Sequence, residues 1–330
     1  MMRWQRQQGV ALVMVLMIVA IVVVIAVSMS GRLQLTLQRQ QNLQQQQQAL
    51  WYGLGAEAFA RQVLRRSLQG QETSHLGQDW AQQGAQFPVD DGTISGVISD
   101  LRSCFNLNAL YLAPPPAGQA QPEASLEQRS FQRLLELVAT ELSMPAEFLM
   151  ARIADWLDED SLLRTAGSAE DDDYAALPYP YYAANTLMGS VTELRAIYEV
   201  TPDDYQLLQP YVCVIPDDQQ LRINANTLTE ETAVLLSAIV AELDVSAAME
   251  VIASRPDNGF SSTDEFWGTG PLAGIEVEAA VKELITVQSE YYQLTARIGY
   301  QESGLRLESI LRVQDGERVT VVARRIGGAG

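Results

Sequence analysis

An unbroken apolar run, residues 10–27, follows a short basic leader and a glycine, Gly9. Arg3 and Arg6 are the only charges ahead of it, and the first acidic residue in the chain is Glu57. As a helix rising ~1.5 Å per residue the run reaches about 27 Å, enough to cross the hydrocarbon of a bilayer. Basic residues on the short N-terminal side hold that end in the cytoplasm and send the remainder across. A cleavable secretory peptide is the alternative, but its apolar core is ~7–15 residues long and ends in an A-x-A-like site. Here Val27-Ser28-Met29-Ser30-Gly31 leads into leucine-spotted, glutamine-rich sequence. A retained anchor is the better reading.

Beyond Gly31 the apolar face thins without ending. Leu33, Leu37, Leu43, Leu50, Leu54 and Ala58 keep near-helical spacing, with residues 38–48 mostly glutamine. Glutamine favours helix, and neither Pro nor Gly interrupts residues 32–52, so the pattern predicts one helix from the membrane to about residue 70. After Gly70 the texture changes. Pro88, Asp91-Gly92 and Gly96, with loose apolar alternation over 93–101, predict a strand pair. At the other end, residues 291–300, 305–314 and 319–325 read as three strands. Turn chemistry at Glu302-Ser303-Gly304 and Asp315-Gly316 separates them.

The stretch from 107 to 290 does not read as β. A Pro/Ala/Gln-rich loop, 114–122, precedes the stripe Phe131, Leu134, Leu135, Val138 and Leu142, which the capping box Ser125…Gln128 opens. A second helix starts at Pro145 and carries Leu149, Ile153, Trp156 and Leu157. Further boxes at Ser190…Glu193, Thr201…Asp204, Thr227…Glu230 and Ser262…Glu265 predict more short helices, hence a compact all-helical domain. The segments Asn106-Leu107-Asn108 and Asn224-Ala225-Asn226 echo each other, as do 190–194 and 261–266. These echoes resemble helix-hairpin-helix repeats, which elsewhere bind DNA. A net charge of -19 and a pI near 4.4 exclude nucleic acid, since a phosphate backbone demands clustered Lys and Arg. Scaffold is the remaining reading.

Chemistry concentrates in the acidic stretches 155–160 and 170–173, which bracket a loop containing Gly167. A solvated acidic surface is one reading. The other, favoured here, is a calcium site, because Ca²⁺ takes ~6–8 oxygens from carboxylates, amides and carbonyls. Asp158 and Asp160 leave a helix together, Glu170 and Asp171 close from across the loop, and Asp173 and Asn185 can complete the set. The spacing is not that of an EF-hand. Catalytic readings have little support: the one histidine, His75, lies in a polar stretch, and no serine carries a nucleophile signature. The glycines of 268–274 lack the lysine of a phosphate cradle. The Tyr/Pro cluster 174–182 reads equally as a binding surface or as a packed loop. With the soluble part translocated, Cys104 and Cys213 fit a disulfide better than two unrelated thiols. They come within bonding distance if the two Asn-x-Asn segments run side by side.

The leader glycine, the anchor helix and the late strands resemble type IV pilins and type II secretion pseudopilins. That resemblance implies a prepilin peptidase cut after Gly9, leaving Val10 as an N-methylated terminus. Most members carry glutamate five residues into the mature chain, whereas this position is Met14. The K-type minor pseudopilin lacks that glutamate and bears a large helical insertion. This chain is similar to it in Gly9-Val10-Ala11-Leu12, in 155–160, in Gly167-Ser168-Ala169-Glu170-Asp171, at Asn185 and in Ile223-Asn224-Ala225-Asn226-Thr227. The match spans almost the whole chain, and the order and spacing of the motifs make it specific. The K-type subgroup is associated with calcium in its helical domain, although Gly167-Ser168-Ala169 departs slightly from its Gly-Ala-Glu-Asp pattern.

The resulting expectation is an α+β fold: a pilin-like transmembrane and stalk helix with an antiparallel β-sheet, plus a large inserted all-helical domain. Its parts are a leader (1–9), the transmembrane and stalk helix (10–70), a first framework segment (71–106), the helical insert (107–290) and C-terminal strands (291–330). The resemblance further implies a non-enzymatic tip subunit of the pseudopilus, nucleating assembly with I- and J-type minor pseudopilins. Prepilin peptidase, the secretin and secreted cargo are its other expected partners, with no nucleic acid and no small-molecule substrate. Its expected location is the inner membrane, single-pass, with a cytoplasmic N-terminus and a periplasmic soluble part. Two competing functions are a tip minor pilin of a type IV pilus and a membrane-anchored periplasmic hydrolase.

Overall fold

A computed structural model describes residues 10–82, 84–113, 124–138 and 141–328. Gly9 and the loop 114–122 lie outside the described residues. The first element is one helix, α1 (Val10–Leu68), 59 residues long. Its apolar N-terminal part is long enough to cross a membrane and none of it is buried inside the protein. Burial begins only at Ala49 and continues through Gly53, Glu57, Ala60, Leu64 and Leu68. That three- and four-residue spacing is one helix face. Gly53 permits the closest approach: a Cβ there would lie 3.3 Å from Leu307 and 3.4 Å from Ile298 and Leu305. Arg65 and Arg66 in the last turn complement the helix dipole, and Gly70, at φ 73°, lets the chain turn away.

Strands β1 (Gln86–Val89) and β2 (Gly92–Asp100) form the expected hairpin, Val89 pairing with Gly92. Asp91 takes φ 58° in the turn, a conformation that Asp tolerates better than most residues. Beyond Asp100 the chain enters the helical region. A short strand, β3 (Phe105–Asn106), precedes α2 (Leu126–Val138), α3 (Ala146–Leu157), α4 (Asp171–Ala175), α5 (Pro202–Leu208) and β4 (Val212–Cys213). Strand β5 (Ile223–Asn224) then precedes α6 (Val234–Ile239), α7 (Val245–Ala253), α8 (Thr263–Trp267), α9 (Ala279–Glu283) and β6 (Ile285–Thr286). The pairs β3–β4 and β5–β6 are both parallel, so each bundle of helices begins and ends on neighbouring strands.

The two Asn-x-Asn segments hold these units in the same way. Asn108 accepts the N–H of Met188 (2.8 Å) and donates to its carbonyl (3.0 Å). Asn226 does the same with Phe260, at 2.6 and 2.9 Å. Both clamps are buried, where each satisfied amide avoids a desolvation penalty of about 1–3 kcal/mol. The helix-hairpin-helix-like echo is therefore a structural repeat.

The caps largely follow the sequence. Ser125 and Gln128 exchange backbone hydrogen bonds at the start of α2 (3.3 and 3.2 Å). Thr201 and Asp204 do so at α5, while Ser262 caps α8. Three expectations need correction. The box Thr227…Glu230 opens no helix, because the Thr227 hydroxyl donates to Asp100 (2.6 Å) and the next helix waits until Val234. Ser190 opens a 3₁₀ turn, in which Glu193 reaches past it to the N–H of Gly189 (2.8 Å). Leu142 packs on the core of the insert from beyond the end of α2.

The chain returns as β7 (Tyr291–Tyr300), β8 (Ser303–Gln314) and β9 (Arg318–Gly328). The sheet order is β1-β2-β7-β8-β9, antiparallel throughout. One core fills the space between α1 and the sheet, and a second lies wholly within the insert. Strand β8 runs alongside α1: Ser303 bonds Gln45, Ser309 bonds Glu57, and Gly316 lies against Leu68. The insert therefore departs from β2 at Asp100, and returns into β7, at the sheet end farthest from the apolar run.

The junction is tightly tied. Asp100 accepts from Ser289 (2.5 Å), Thr227 (2.6 Å), the Arg102 N–H (2.8 Å) and Asn224 (3.1 Å). Beside it Cys104 and Cys213 form a disulfide with Cα atoms 5.7 Å apart. The bonded pair is the expected one, by a different route. Pairing of β3 with β4 sets Asn106 opposite Cys213 and so brings Cys104, two residues before Asn106, close to it. A hydrogen bond from the Asn224 N–H to the Arg102 carbonyl (2.8 Å) links the neighbourhoods of the two Asn-x-Asn segments.

Candidate metal centre

Helix α3 ends in the acidic stretch, and its last turn decides which acids face inward. Asp155 and Asp158, three residues apart, share a helix face, and Asp158 is the C-terminal cap. Across the loop Glu170 begins α4, its N–H held by the Asp173 carboxylate at 3.0 Å. Oxygens of Asp155, Asp158 and Glu170 lie within 4.8 Å of one another, and all three residues are buried. Gly167, at φ 92°, lets the loop pass over Phe148, whose ring a Cβ would meet at 2.3 Å. Arg152 fixes this crossing by donating to the Gly167 carbonyl (3.0 Å).

The electrostatics are unfavourable without a cation. Both oxygens of Asp155, both of Glu170 and the amide oxygen of Asn185 are buried without a hydrogen-bond partner. Among the described residues Arg164 is the cation that offsets the charge, bonding Asp158 and standing 3.9 Å from Asp155. Burial pushes the Asp155 carboxyl up to about 7, with the neighbouring Asp158 adding to the shift. Burial and then the charges of Asp155, Asp158 and Asp171 push Glu170 up to about 8. Asp158 is also raised, chiefly by burial. A solvated acidic surface does not fit acids that are 0% exposed, as Asp155 and Asp158 are. Oxygen-only donors, several unpartnered, fit a hard divalent cation.

The sequence-predicted residues divide. Asp158 and Glu170 are at the centre. Asp171 is beside it, accepting from Ser161 and the Ala183 N–H at 3.1 Å each, and Asn185 points its free oxygen from φ 46°. Asp160 instead accepts the Leu162 N–H at 2.8 Å, and Asp173 is engaged at the α4 cap. Asp155 is the member that sequence reasoning left out. Its signal was the three-residue spacing to Asp158 at the end of an amphipathic helix. Nearby, Tyr174 is fully buried against Trp156, with ring centroids 5.5 Å apart, while Tyr179 and Tyr182 face solvent. His75 lies half-buried on the loop after α1.

Comparison with known proteins adds to this geometry. A family model described as type II secretion system (T2SS), protein K, matches residues 103–217, and a second of the same description matches 223–288. Those bounds nearly coincide with the two clamped units. The type II secretion system protein K of Pectobacterium carotovorum subsp. carotovorum is 38% identical over 293 residues, covering 85% of this chain and 84% of that protein. The protein of the same name from Klebsiella pneumoniae is 36% identical over 324 residues, covering 98% and 97%. A chain from the crystal structure of the GspK-GspI-GspJ complex of the enterotoxigenic Escherichia coli type 2 secretion system shares the fold. Its TM-score is 0.75 at 29% identity, covering 88% of this chain and 100% of that one.

Proposed function

Because the chain belongs to the type II secretion system protein K family, a minor subunit of the pseudopilus, we propose that it caps the pseudopilus tip and nucleates assembly there. The supporting observation is the position of the insert. It leaves the sheet at the end remote from the apolar helix, over the far end of α1. A second subunit stacked there would meet the helical domain instead of a free stalk. Met14 points the same way: it is exposed on the apolar helix and offers no carboxylate to the terminal amine of a subunit above. Leaving such an amine unpaired in a buried setting costs several kcal/mol.

The solved relative is assembled with GspI and GspJ, which supports I- and J-type partners packed along the stalk. In this reading prepilin peptidase removes residues 1–9, the apolar run stays in the inner membrane, and the disulfide-bonded part lies in the oxidising periplasm. The protein acts by assembly and presentation, not by catalysis. Asp155, Asp158 and Glu170, with Asn185 alongside, would hold calcium, whose charge would neutralise the acidic loop and fix it. Labelling assembled pseudopili with a tag inserted in the helical domain tests the assignment. Signal at one filament end is the expected result, and even labelling along the filament rejects it.

A further inference from the structure

The two clamped units differ in one respect. In the second, α7 connects to the clamped residue Phe260 through the short loop 254–259; in the first, α3 connects to Met188 through residues 158–187. The scaffold thus closes without that long excursion, which is an arm added to one unit. The arm is ordered at its base, where Ser161 bonds Asp171 (3.1 Å) and accepts from Asn185 (3.4 Å), and Asp171 accepts the Ala183 N–H (3.1 Å). These bonds tie the start of the segment that carries Leu162 and Leu163 to the residues that follow Tyr182.

The arm's surface is unusual. Among the described residues outside α1, the four most exposed large apolar side chains all lie on it: Tyr179 at 88%, Leu162 at 72%, Tyr182 at 71% and Leu163 at 59%. Single exposed apolar groups are ordinary, but four of them on one arm mark a contact surface. Charge narrows the occupant. Residues 101–290 hold about three-quarters of the 41 acidic residues and fewer than half of the 22 basic ones, and Glu159 and Asp172 on the arm are exposed. A second copy of this domain, an anionic lipid surface or a nucleic acid would be repelled.

We propose that residues 158–187 form a docking arm whose Leu162, Leu163, Tyr179 and Tyr182 seat on a protein partner with an apolar patch rimmed by Lys or Arg. This rests on the reading that the helical domain faces outward from the tip. The test uses the full chain in a working secretion system, with all four residues replaced by serine. Export of the secreted protein should fall at least tenfold while pseudopili still assemble and the melting temperature is unchanged. Normal export overturns the proposal, as does lost assembly with normal melting, which would place the arm inside the filament. If the quadruple variant fails to accumulate, Glu159→Lys with Asp172→Lys decides: a tenfold loss of export supports a cationic rim, and unchanged export overturns it. End-labelling of wild-type pseudopili reports separately on the tip assignment.

Discussion

Glu57 and Arg324 join the soluble half of α1 to the last strand through two contacts of 2.7 Å, and the same carboxylate accepts from Ser309 at 2.6 Å. Burial alone would raise the Glu57 pKa, but the bonds from Arg324 and Ser309 outweigh it and hold the carboxyl below its ordinary value.

Arg324→Ala should therefore destabilise the stalk–sheet unit by about 1–3 kcal/mol, less than a fully buried pair because Arg324 is partly exposed. A depressed carboxyl pKa adds stability that is present above the unfolded value, near 4.3, and lost as pH falls through the folded value. Urea midpoints should drop below about pH 4 in the wild type. In Glu57→Gln that acid dependence should be smaller; an equal dependence would show that other carboxylates carry it.

Calcium removal should loosen the α3–α4 loop. Chelation is expected to lower the melting temperature by a few degrees, at roughly 1–2 °C per kcal/mol for a chain of this size. Asp155→Asn and Glu170→Gln should each weaken calcium binding at least tenfold by calorimetry, whereas Asp160→Asn should change it little. Equal losses at all three positions would place the ion elsewhere on the loop.

The disulfide closes a loop of 109 residues. In the chain-entropy account its loss costs about 4–5 kcal/mol. Reduction, or Cys104→Ser with Cys213→Ser, should lower the urea midpoint accordingly. Thiol titration of the unreduced, denatured protein should find no free cysteine.

Processing is read at Gly9 and Met14. Co-expression with a prepilin peptidase should leave Val10 at the N-terminus, and a bulky residue at position 9 should block the cut. Met14→Glu should leave soluble-domain stability unchanged but let the subunit enter filaments away from their ends, as scored by end-labelling.

Much of this architecture was legible in the sequence, where a single period or a turn type decides the outcome. The single long helix α1, the hairpin at Asp91-Gly92 and the cap at Ser125 are local in origin, whereas the buried face of α1 falls on Ala49, Gly53 and Glu57, one residue off the expected Leu50, Leu54 and Ala58. What could not be read depends on distant partners. Thr227 looks like a helix cap until Asp100, far away in sequence, takes its hydroxyl. Eight acids crowd residues 155–173, and only the direction of α3 selects Asp155 and Asp158 over Asp160. The cysteines were paired correctly, but the parallel contact of β3 with β4 that brings them close left no sequence signal, being only two residues long.

Strands β2 and β7 pair directly, Asp100 opposite Tyr292, so topologically the helical region is the loop of one hairpin. Closing a floppy loop of roughly 190 residues costs about 3 kcal/mol more than closing one of four. A helical region that has already folded, with its ends held together by two parallel strand pairs and a disulfide, removes that cost. The order of folding follows: the domain farthest from the membrane should form first, and the sheet should zip onto the stalk only afterwards.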